Sequence, residues 1–361
     1  MKRSFGIDFI RTLSIALVIF RHYGFYKGFN LGYFAIEFLF VISGFLIGQI
    51  LFTDFFSTPQ IERASLRRFM IRRWFRILPL YYFCLFFKFI LAPSIGLNIL
   101  YYVFFLQNHF YGITFYPETW TLVIDEWFYL GVPLGLFLFI RFVSTRPRSI
   151  FLFVLGIIVV INVLRYLWVL HSNTAWEGLT GNVPLRQDTL LFGVLLAFLK
   201  NKYNSVFRKM DSLPFFLGGL VLLSIYIFAI YKIRFPIDHI NNYIWTRTIS
   251  FGLLSMFVMF TLPYFENSFP MAKAVWLKPW NSFIIWGSKL SYALYLVHNE
   301  VNILLFKTLY IEGTNPLWTK SLLILITILV SFGLYKFLEK PMLILRDKYF
   351  PDRPMQKISA S

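Results

Sequence analysis

The sequence has few charged residues and almost no cysteine. Only 14% of its 361 residues are Asp, Glu, Lys or Arg, whereas 58% are apolar and 21% are aromatic. A soluble domain rarely has so little charge, so the composition indicates an integral membrane protein. The single cysteine, Cys84, excludes a disulfide within the chain and a metal site made of several cysteines.

Sequence signatures of nucleotide binding and of secretion are absent as well. Neither a Walker loop nor a GxGxxG motif occurs, so a bound nucleotide would have to be held by arginines and helix ends. The first apolar run exceeds signal-peptide length, contains charges and lacks a small-residue cleavage site after it. We therefore expect no cleavable signal peptide.

Ten apolar runs of about 17 to 25 residues predict membrane-spanning helices. The expected fold class is an all-α integral membrane protein with about ten transmembrane helices in one bundle. A shorter apolar run at residues 97–110 is expected to be interfacial or re-entrant. The predicted spans lie near residues 8–26, 33–53, 77–92, 120–140, 150–170, 184–199, 213–231, 243–264, 283–308 and 317–338.

The basic residues predict how the bundle is oriented. With the N-terminus inside, the inner segments contain 23 Lys and Arg residues and the outer loops contain 3. Such an excess is typical of cytoplasmic loops, so both termini are expected in the cytoplasm. The net charge of +18 thus reflects the membrane topology and indicates contact with anionic lipid or phosphate. Nucleic acid is not expected as a partner.

The first predicted span carries an ionisable stripe. Arg11 and His22 are eleven residues apart, which places them within about 20° on one helix face and about 16 Å apart along the axis. Asp8 lies on the same stripe. A histidine in the outer half of a span can accept a proton near neutral pH and donate it once charged. The alternative is a structural histidine that hydrogen-bonds a neighbouring helix.

Further ionisable residues occur toward the outer ends of other spans. A charge at bilayer depth costs at least about 2.5 kcal/mol, so it usually faces a partner or a wet cavity. Each residue alone is compatible with an interfacial position or an ion pair, but together they predict a polar outer cavity. These residues are Glu37, Asp125, Glu126, Arg186, Asp188, Arg247 and His298.

On the inner side, a group of arginines precedes the third span. Arg73 and Arg76 share a helix face at i, i+3 spacing. A guanidinium group pairs with phosphate oxygens through two parallel hydrogen bonds, so this pair predicts a phosphate site. The alternative is a positively charged anchor that only sets the topology.

Several stretches resemble, in order, the motifs of the acyltransferase-3 family of integral-membrane acyltransferases. The first is a basic residue separated by ten residues from a histidine, here Arg11 and His22. Two positions depart from the family pattern, since Glu37 replaces Asp and Asp125 replaces Glu. The other matching stretches are "IEFLFVISGFLI", "RRWFRILPLYY", Trp120 to Leu130, Arg186 and Asp188 followed by "FGVLLA", Ser291 to His298, and "FLEKP".

The resemblance implies transfer of an acyl group, usually acetyl, from cytoplasmic acyl-CoA to a hydroxyl of a cell-surface glycan or lipid-linked sugar. Arg11, Arg73 and Arg76 would then bind the phosphates of CoA. His22 would act as a general base or as a transient acyl carrier. Its imidazole is expected to share a continuous interior passage with the arginines.

The remaining ionisable residues receive supporting roles in this interpretation. Glu37, Asp125 or Glu126 is expected to orient the His22 imidazole, and the motif position favours Asp125. Acceptor binding or a structural polar cavity is expected of a larger set: Glu37, Trp120, Arg186, Asp188, Arg247 and His298.

The same interpretation sets the domain and the partners. Residues 1–346 are expected to form a stand-alone membrane domain of a bacterial plasma membrane, and residues 347–361 a short cytoplasmic tail. Acetyl-CoA is expected as a substrate, with no permanently bound cofactor. No metal is expected, because no two histidines have i, i+4 spacing. The rival function is a secondary transporter or flippase of a polar solute. The acceptor, the acyl chain length and the oligomeric state stay open.

Overall fold

A computed structural model describes residues 4–25, 31–56, 63–110, 114–232, 243–271, 277–309 and 316–351. These residues form helices and turns, with no strand among them, so the predicted all-α class is confirmed. Most of the predicted C-terminal tail, residues 352–361, lies outside the described residues.

The described part of the chain contains ten helices of at least 16 residues, and each overlaps one predicted span. In chain order α1 to α10 are Phe5–His22, Leu31–Phe56, Arg63–Leu91, Trp120–Phe142, Pro147–Ser172, Gln187–Lys202, Leu213–Lys232, Ile244–Pro263, Lys278–Leu309 and Pro316–Leu334.

Fewer stretches meet the length and hydropathy of a membrane span. Six do so in the described residues: Leu31–Thr53, Ala64–Leu91, Pro117–Phe142, Pro147–Ser172, Ile244–Ser268 and Leu317–Tyr349. A seventh span results if Asn204–Met210 and Leu213–Ile227, which are bent by 65°, count as one broken span. The chain therefore has several apolar helices long enough for a multi-pass membrane protein, and the predicted number of ten is not confirmed.

Local chemistry explains where several helices begin and end. Ser4 caps α1, since its hydroxyl accepts a hydrogen bond from the Ile7 amide at 3.5 Å. Pro147 occupies the first position of α5, where its missing N–H costs nothing. Asn173 ends that helix in the left-handed conformation, with φ of 48°.

Helices α2 and α6 make the closest packing because glycines line their contact. A Cβ atom on Gly44 would lie 1.9 Å from the Leu190 carbonyl oxygen, and one on Gly193 would lie 2.1 Å from the Val41 oxygen. Such close backbone approach is typical of small-residue interfaces between membrane helices. The backbones of the two helices therefore approach each other directly at these glycines.

Helix α1 lies between α2 and α9 and runs parallel to α9. The Thr12 hydroxyl donates to the Ile284 carbonyl at 2.7 Å near one end, and the Tyr23 hydroxyl donates to the His298 carbonyl at 2.9 Å near the other. Because both helices run in the same direction, His22 at the end of α1 lies beside His298 on α9.

The apolar run at residues 97–110 is not one helix. It contains the short helices Ile99–Val103 and Gln107–Phe110, and the 3-10 turn Pro93–Asn98 precedes it. The Tyr81 hydroxyl donates to the Tyr102 carbonyl at 2.8 Å, and the Trp127 indole donates to the Phe105 carbonyl at 3.0 Å. These bonds hold the segment against α3 and α4.

Candidate active site

The structure brings together the three arginines that the sequence assigns to the donor. Arg11 on α1 and Arg73 and Arg76 on α3 line one cavity, here called the arginine cavity. The Arg73 guanidinium donates to the Tyr129 hydroxyl and lies 4.0 Å from the centre of that ring. Helices α1 to α4 and α9 all contribute to the cavity wall.

Several carboxylates partly balance these arginines, since Asp8 and Glu339 act on Arg11, and Asp125 and Glu126 act on Arg73. Asp125 lines the arginine cavity, and its charge acts on Arg73. Glu339, in the turn Tyr335–Glu339 after α10, is buried within electrostatic range of Arg11 and Arg76. The wall of the cavity itself holds three guanidinium groups and one carboxylate, that of Asp125, which suits it to an anion. The Nε atom of Arg73 is buried without a hydrogen-bond partner in the described residues, so a ligand can accept from it.

A second group of ionisable side chains lies at the C-terminal end of α1. One ring nitrogen of His22, one of His298 and one carboxylate oxygen of Glu118 lie within 4.8 Å of one another. We call these three residues the histidine cluster. His22 is exposed, whereas Glu118 and His298 are buried behind it. The two imidazoles meet edge to face, with ring centres 4.9 Å apart.

The hydrogen bonds of His298 determine which ring nitrogen is available. Its Nδ1 lies 2.8 Å from the Tyr295 carbonyl oxygen and 3.2 Å from the Leu294 carbonyl oxygen. A carbonyl oxygen can only accept, so Nδ1 carries the proton. In the neutral ring Nε2 is then an acceptor, and among the described residues it has no hydrogen-bond partner.

Tyr295 lies between the arginine cavity and the histidine cluster. It lines the cavity together with Thr121, and its ring centre is 5.8 Å from that of His298. Its hydroxyl accepts from Thr121 at 2.8 Å and donates to the Glu118 carbonyl at 2.9 Å. His22 is not among the residues that line the cavity. The single continuous passage expected from the sequence is thus divided at Tyr295.

Asp125 and Glu126 do not lie beside His22, contrary to their expected role. Asp125 lines the arginine cavity, and Glu126 lines a neighbouring opening that it shares with Arg73. The carboxylate beside His22 is that of Glu118. Asp125 follows Glu118 by seven residues, a distance of about 10 Å along a helix. Glu118 could have been found from the sequence by this difference in depth, because it places Glu118 closer to the level of His22 than Asp125.

Glu37, Arg186 and Asp188 form buried ion pairs and do not contact the histidine cluster. Arg186 donates to Glu37, and Arg165 pairs with Asp188 at 2.5 Å, with all four side chains fully buried. Both pairs sit where α2, α5 and α6 meet. Their geometry corresponds to the structural alternative considered for these residues.

Arg247 and Trp120 also have partners within the fold. Arg247 donates to the Asn173 side chain at 2.8 Å and to the Thr174 carbonyl at 3.1 Å, beyond the C-terminal end of α5. Trp120 at the start of α4 packs edge to face on Phe40, with ring centres 6.2 Å apart. Phe40 lines the arginine cavity, so Trp120 supports its wall.

Comparison with known proteins relates this site to a family. The chain is 27% identical over 376 residues to the O-acetyltransferase OatA of Staphylococcus aureus (strain NCTC 8325 / PS 47), an alignment that covers 98% of this chain and 59% of OatA. It is 24% identical over 355 residues to a putative O-acetyltransferase of Staphylococcus aureus (strain COL), covering 93% of this chain and 56% of that protein. The chain thus spans less than two thirds of the length of these relatives. No solved structure matches it. The family whose model is described as "Acyltransferase domain" matches residues 4–336, and the chain therefore belongs to the acyltransferase-3 family.

Proposed function

We propose that this chain is a membrane O-acetyltransferase that moves an acetyl group from cytoplasmic acetyl-CoA to a hydroxyl of a cell-surface glycan or lipid-linked sugar. Family membership and the names of the relatives support the reaction class. The observation that carries the proposal is geometric: an arginine-lined cavity and a histidine cluster lie on opposite sides of one residue, Tyr295.

The arginine cavity is the proposed donor site. Guanidinium groups of Arg11, Arg73 and Arg76 would donate charge-assisted hydrogen bonds to the phosphate oxygens of CoA. Arg73 and Arg76 lie one turn apart on α3 and Arg11 faces them from α1, so an anion between the two helices can contact all three. The acetyl thioester then points toward Tyr295.

The histidine cluster is the proposed site of transfer. As a general base, His22 removes the proton from the acceptor hydroxyl while the hydroxyl oxygen attacks the thioester carbonyl, and the CoA thiolate leaves with that proton. As an acyl carrier, a ring nitrogen of His22 attacks the thioester carbonyl and the CoA thiolate leaves; the acceptor hydroxyl then attacks the acetyl-imidazole, and its proton passes to the released imidazole. Either route requires the Tyr295 ring to turn aside. In both, Glu118 orients the imidazole and stabilises its cation.

The proposed topology follows the distribution of basic residues. Ten spans with both termini in the cytoplasm place the end of α1 at the outer face of a bacterial plasma membrane. The donor site then opens inward and the exposed ring of His22 faces the acceptor. Residues 1–346 form the membrane domain in this proposal.

Transfer of label from acetyl-CoA tests the function directly. Purified protein in lipid nanodiscs is incubated with [acetyl-¹⁴C]acetyl-CoA and a panel of bacterial surface glycans, and label on the glycan is measured. His22→Ala should lower transfer by about 10²-fold or more, since general-base catalysis contributes about that much. His171→Ala is the matched control, because His171 is an exposed histidine in the last turn of α5.

Two results would contradict the proposal. Undiminished labelling by His22→Ala would remove the proposed catalytic residue. Solute uptake into liposomes without label on any acceptor would favour the transporter.

A further inference from the structure

We propose that the histidine cluster is also a binding site for Zn²⁺, and that the bound ion inhibits acetyl transfer. Two imidazole nitrogens and a carboxylate oxygen are donor types that Zn²⁺ binds. The three donors come from the end of α1, from the turn Pro117–Thr119 before α4, and from α9. Helical spacing predicts no metal site here because it compares residues on one helix only.

His298 is already oriented as a metal ligand. Histidines that bind metals usually donate their other ring N–H to a carbonyl or carboxylate, which sets the tautomer. Nδ1 of His298 donates to the Tyr295 carbonyl at 2.8 Å, and the fully buried Nε2 keeps an unused lone pair. A buried acceptor without a partner is costly, and an ion beside it would remove that cost.

Glu118 supplies the negative charge that the site needs. Both of its carboxylate oxygens are buried, and Asn299 lies beside the carboxylate. Arg21 precedes His22, and its charge acts on that imidazole. A cation bound here is therefore opposed by Arg21 and depends on Glu118 for compensation.

The ion can reach the site and leave one position open. His22 is exposed, so it can close on an ion that binds first to the two buried ligands. Bonds of about 2.1 Å in a tetrahedral site place ligand atoms about 3.4 Å apart, whereas here they lie within 4.8 Å. Rotation of the exposed His22 side chain closes this difference. Three protein ligands leave the fourth position to water.

Inhibition follows because the lone pair of a His22 ring nitrogen cannot bind Zn²⁺ and take part in acetyl transfer at the same time. A ring nitrogen of His22 bound to Zn²⁺ can neither remove a proton nor accept an acetyl group. This part of the inference rests on the proposed function, whereas ion binding does not. The two parts are therefore measured separately.

Zinc binding is measured on the full chain in detergent, first stripped with EDTA. Competition with a chromophoric chelator gives the affinity, and elemental analysis after gel filtration gives the stoichiometry. We expect one Zn²⁺ per chain, with affinity lowered more than about 100-fold in His22→Ala, His298→Gln and Glu118→Gln, since loss of an outer-shell partner alone costs about 10- to 100-fold. The surface variant His171→Ala should bind as the wild type does.

The outcomes separate the two parts. Absence of bound zinc, or equal binding by all four variants, would overturn the site, provided that thermal unfolding shows the variants folded. If transfer is detected, Zn²⁺ should lower it in the wild type and EDTA should restore it. Stimulation by Zn²⁺ would overturn the inhibition while one bound ion per chain would still support the site. Zinc binding without any detectable transfer would count against the proposed function alone.

Discussion

Glu118 and Asp125 are two carboxylates at different depths of one stretch of chain. Glu118 lies with His22 and His298 in the histidine cluster, and Asp125 lies with Arg73 and Tyr129 in the arginine cavity. A carboxylate acts on a catalytic imidazole only at hydrogen-bonding range or through one intervening group. In the proposed function, Glu118 is therefore assigned to the transfer step and Asp125 to the donor site.

Replacing each carboxylate by its amide separates these roles. Glu118→Gln should lower kcat by about 10²-fold or more, because the His22 cation loses its counter-charge. Asp125→Asn should change kcat by less than about tenfold, because Asp125 is not placed to act on the imidazole. Initial rates of glycan acetylation measure both values. A larger loss of kcat in Asp125→Asn than in Glu118→Gln would reverse the assignment.

The neighbouring arginines Arg72 and Arg76 offer a matched pair for the donor site. Arg76 lines the arginine cavity, whereas Arg72 pairs with Asp347 at 3.1 Å and does not line it. Hydrogen bonds to charged groups contribute about 1.5 to 3 kcal/mol, so Arg76→Met should raise the KM for acetyl-CoA by about 10- to 150-fold. Arg72→Met should leave that KM unchanged. Equal effects of the two substitutions on KM would contradict the donor site and favour arginines that only set the membrane topology.

At the scale of helices, glycine allows the close packing of α2 on α6, and an ion pair is buried at the same contact. Gly44 and Gly193 let the backbones touch, and Glu37 pairs with Arg186 across the same interface. Both charges are fully buried. Removal of one partner leaves the other uncompensated in a medium that solvates it poorly.

Loss of one charge should therefore destabilise the bundle more than loss of both. Glu37→Leu should lower the free energy of unfolding by about 3 to 5 kcal/mol, and the double variant Glu37→Leu/Arg186→Met should recover most of this loss. Thermal unfolding in detergent, followed by circular dichroism, measures the difference. A double variant as unstable as the single one would show that Glu37 or Arg186 stabilises the bundle through interactions other than their ion pair.

At the scale of the whole molecule, the distribution of Lys and Arg sets the expected orientation. The single cysteine, Cys84, is buried, so a Cys84→Ser background allows labelling from either side of the membrane. A membrane-impermeant maleimide should label Lys27→Cys in intact cells, and it should label Lys357→Cys only after permeabilisation. Labelling of Lys357→Cys in intact cells would contradict the proposed topology.

Much of the arrangement was predictable from residues that lie on one helix. Arg73 and Arg76 line one cavity as their spacing predicts, and His22 lies at the C-terminal end of α1 beside His298. Glu118 was missed because its contact with His22 joins residues that are distant in sequence. The position of Tyr295 between the two sites was missed for the same reason.

The sequence by itself determined the membrane class, the positions of the long helices, the expected orientation and the family resemblance. These properties depend on composition, periodicity and charge within single segments. Only the tertiary structure decided that Glu118 accompanies His22, that Glu37 pairs with Arg186, and that Tyr295 divides the interior. Contacts between helices depend on which faces pack at which depth, and a helical period fixes a face without naming its neighbour.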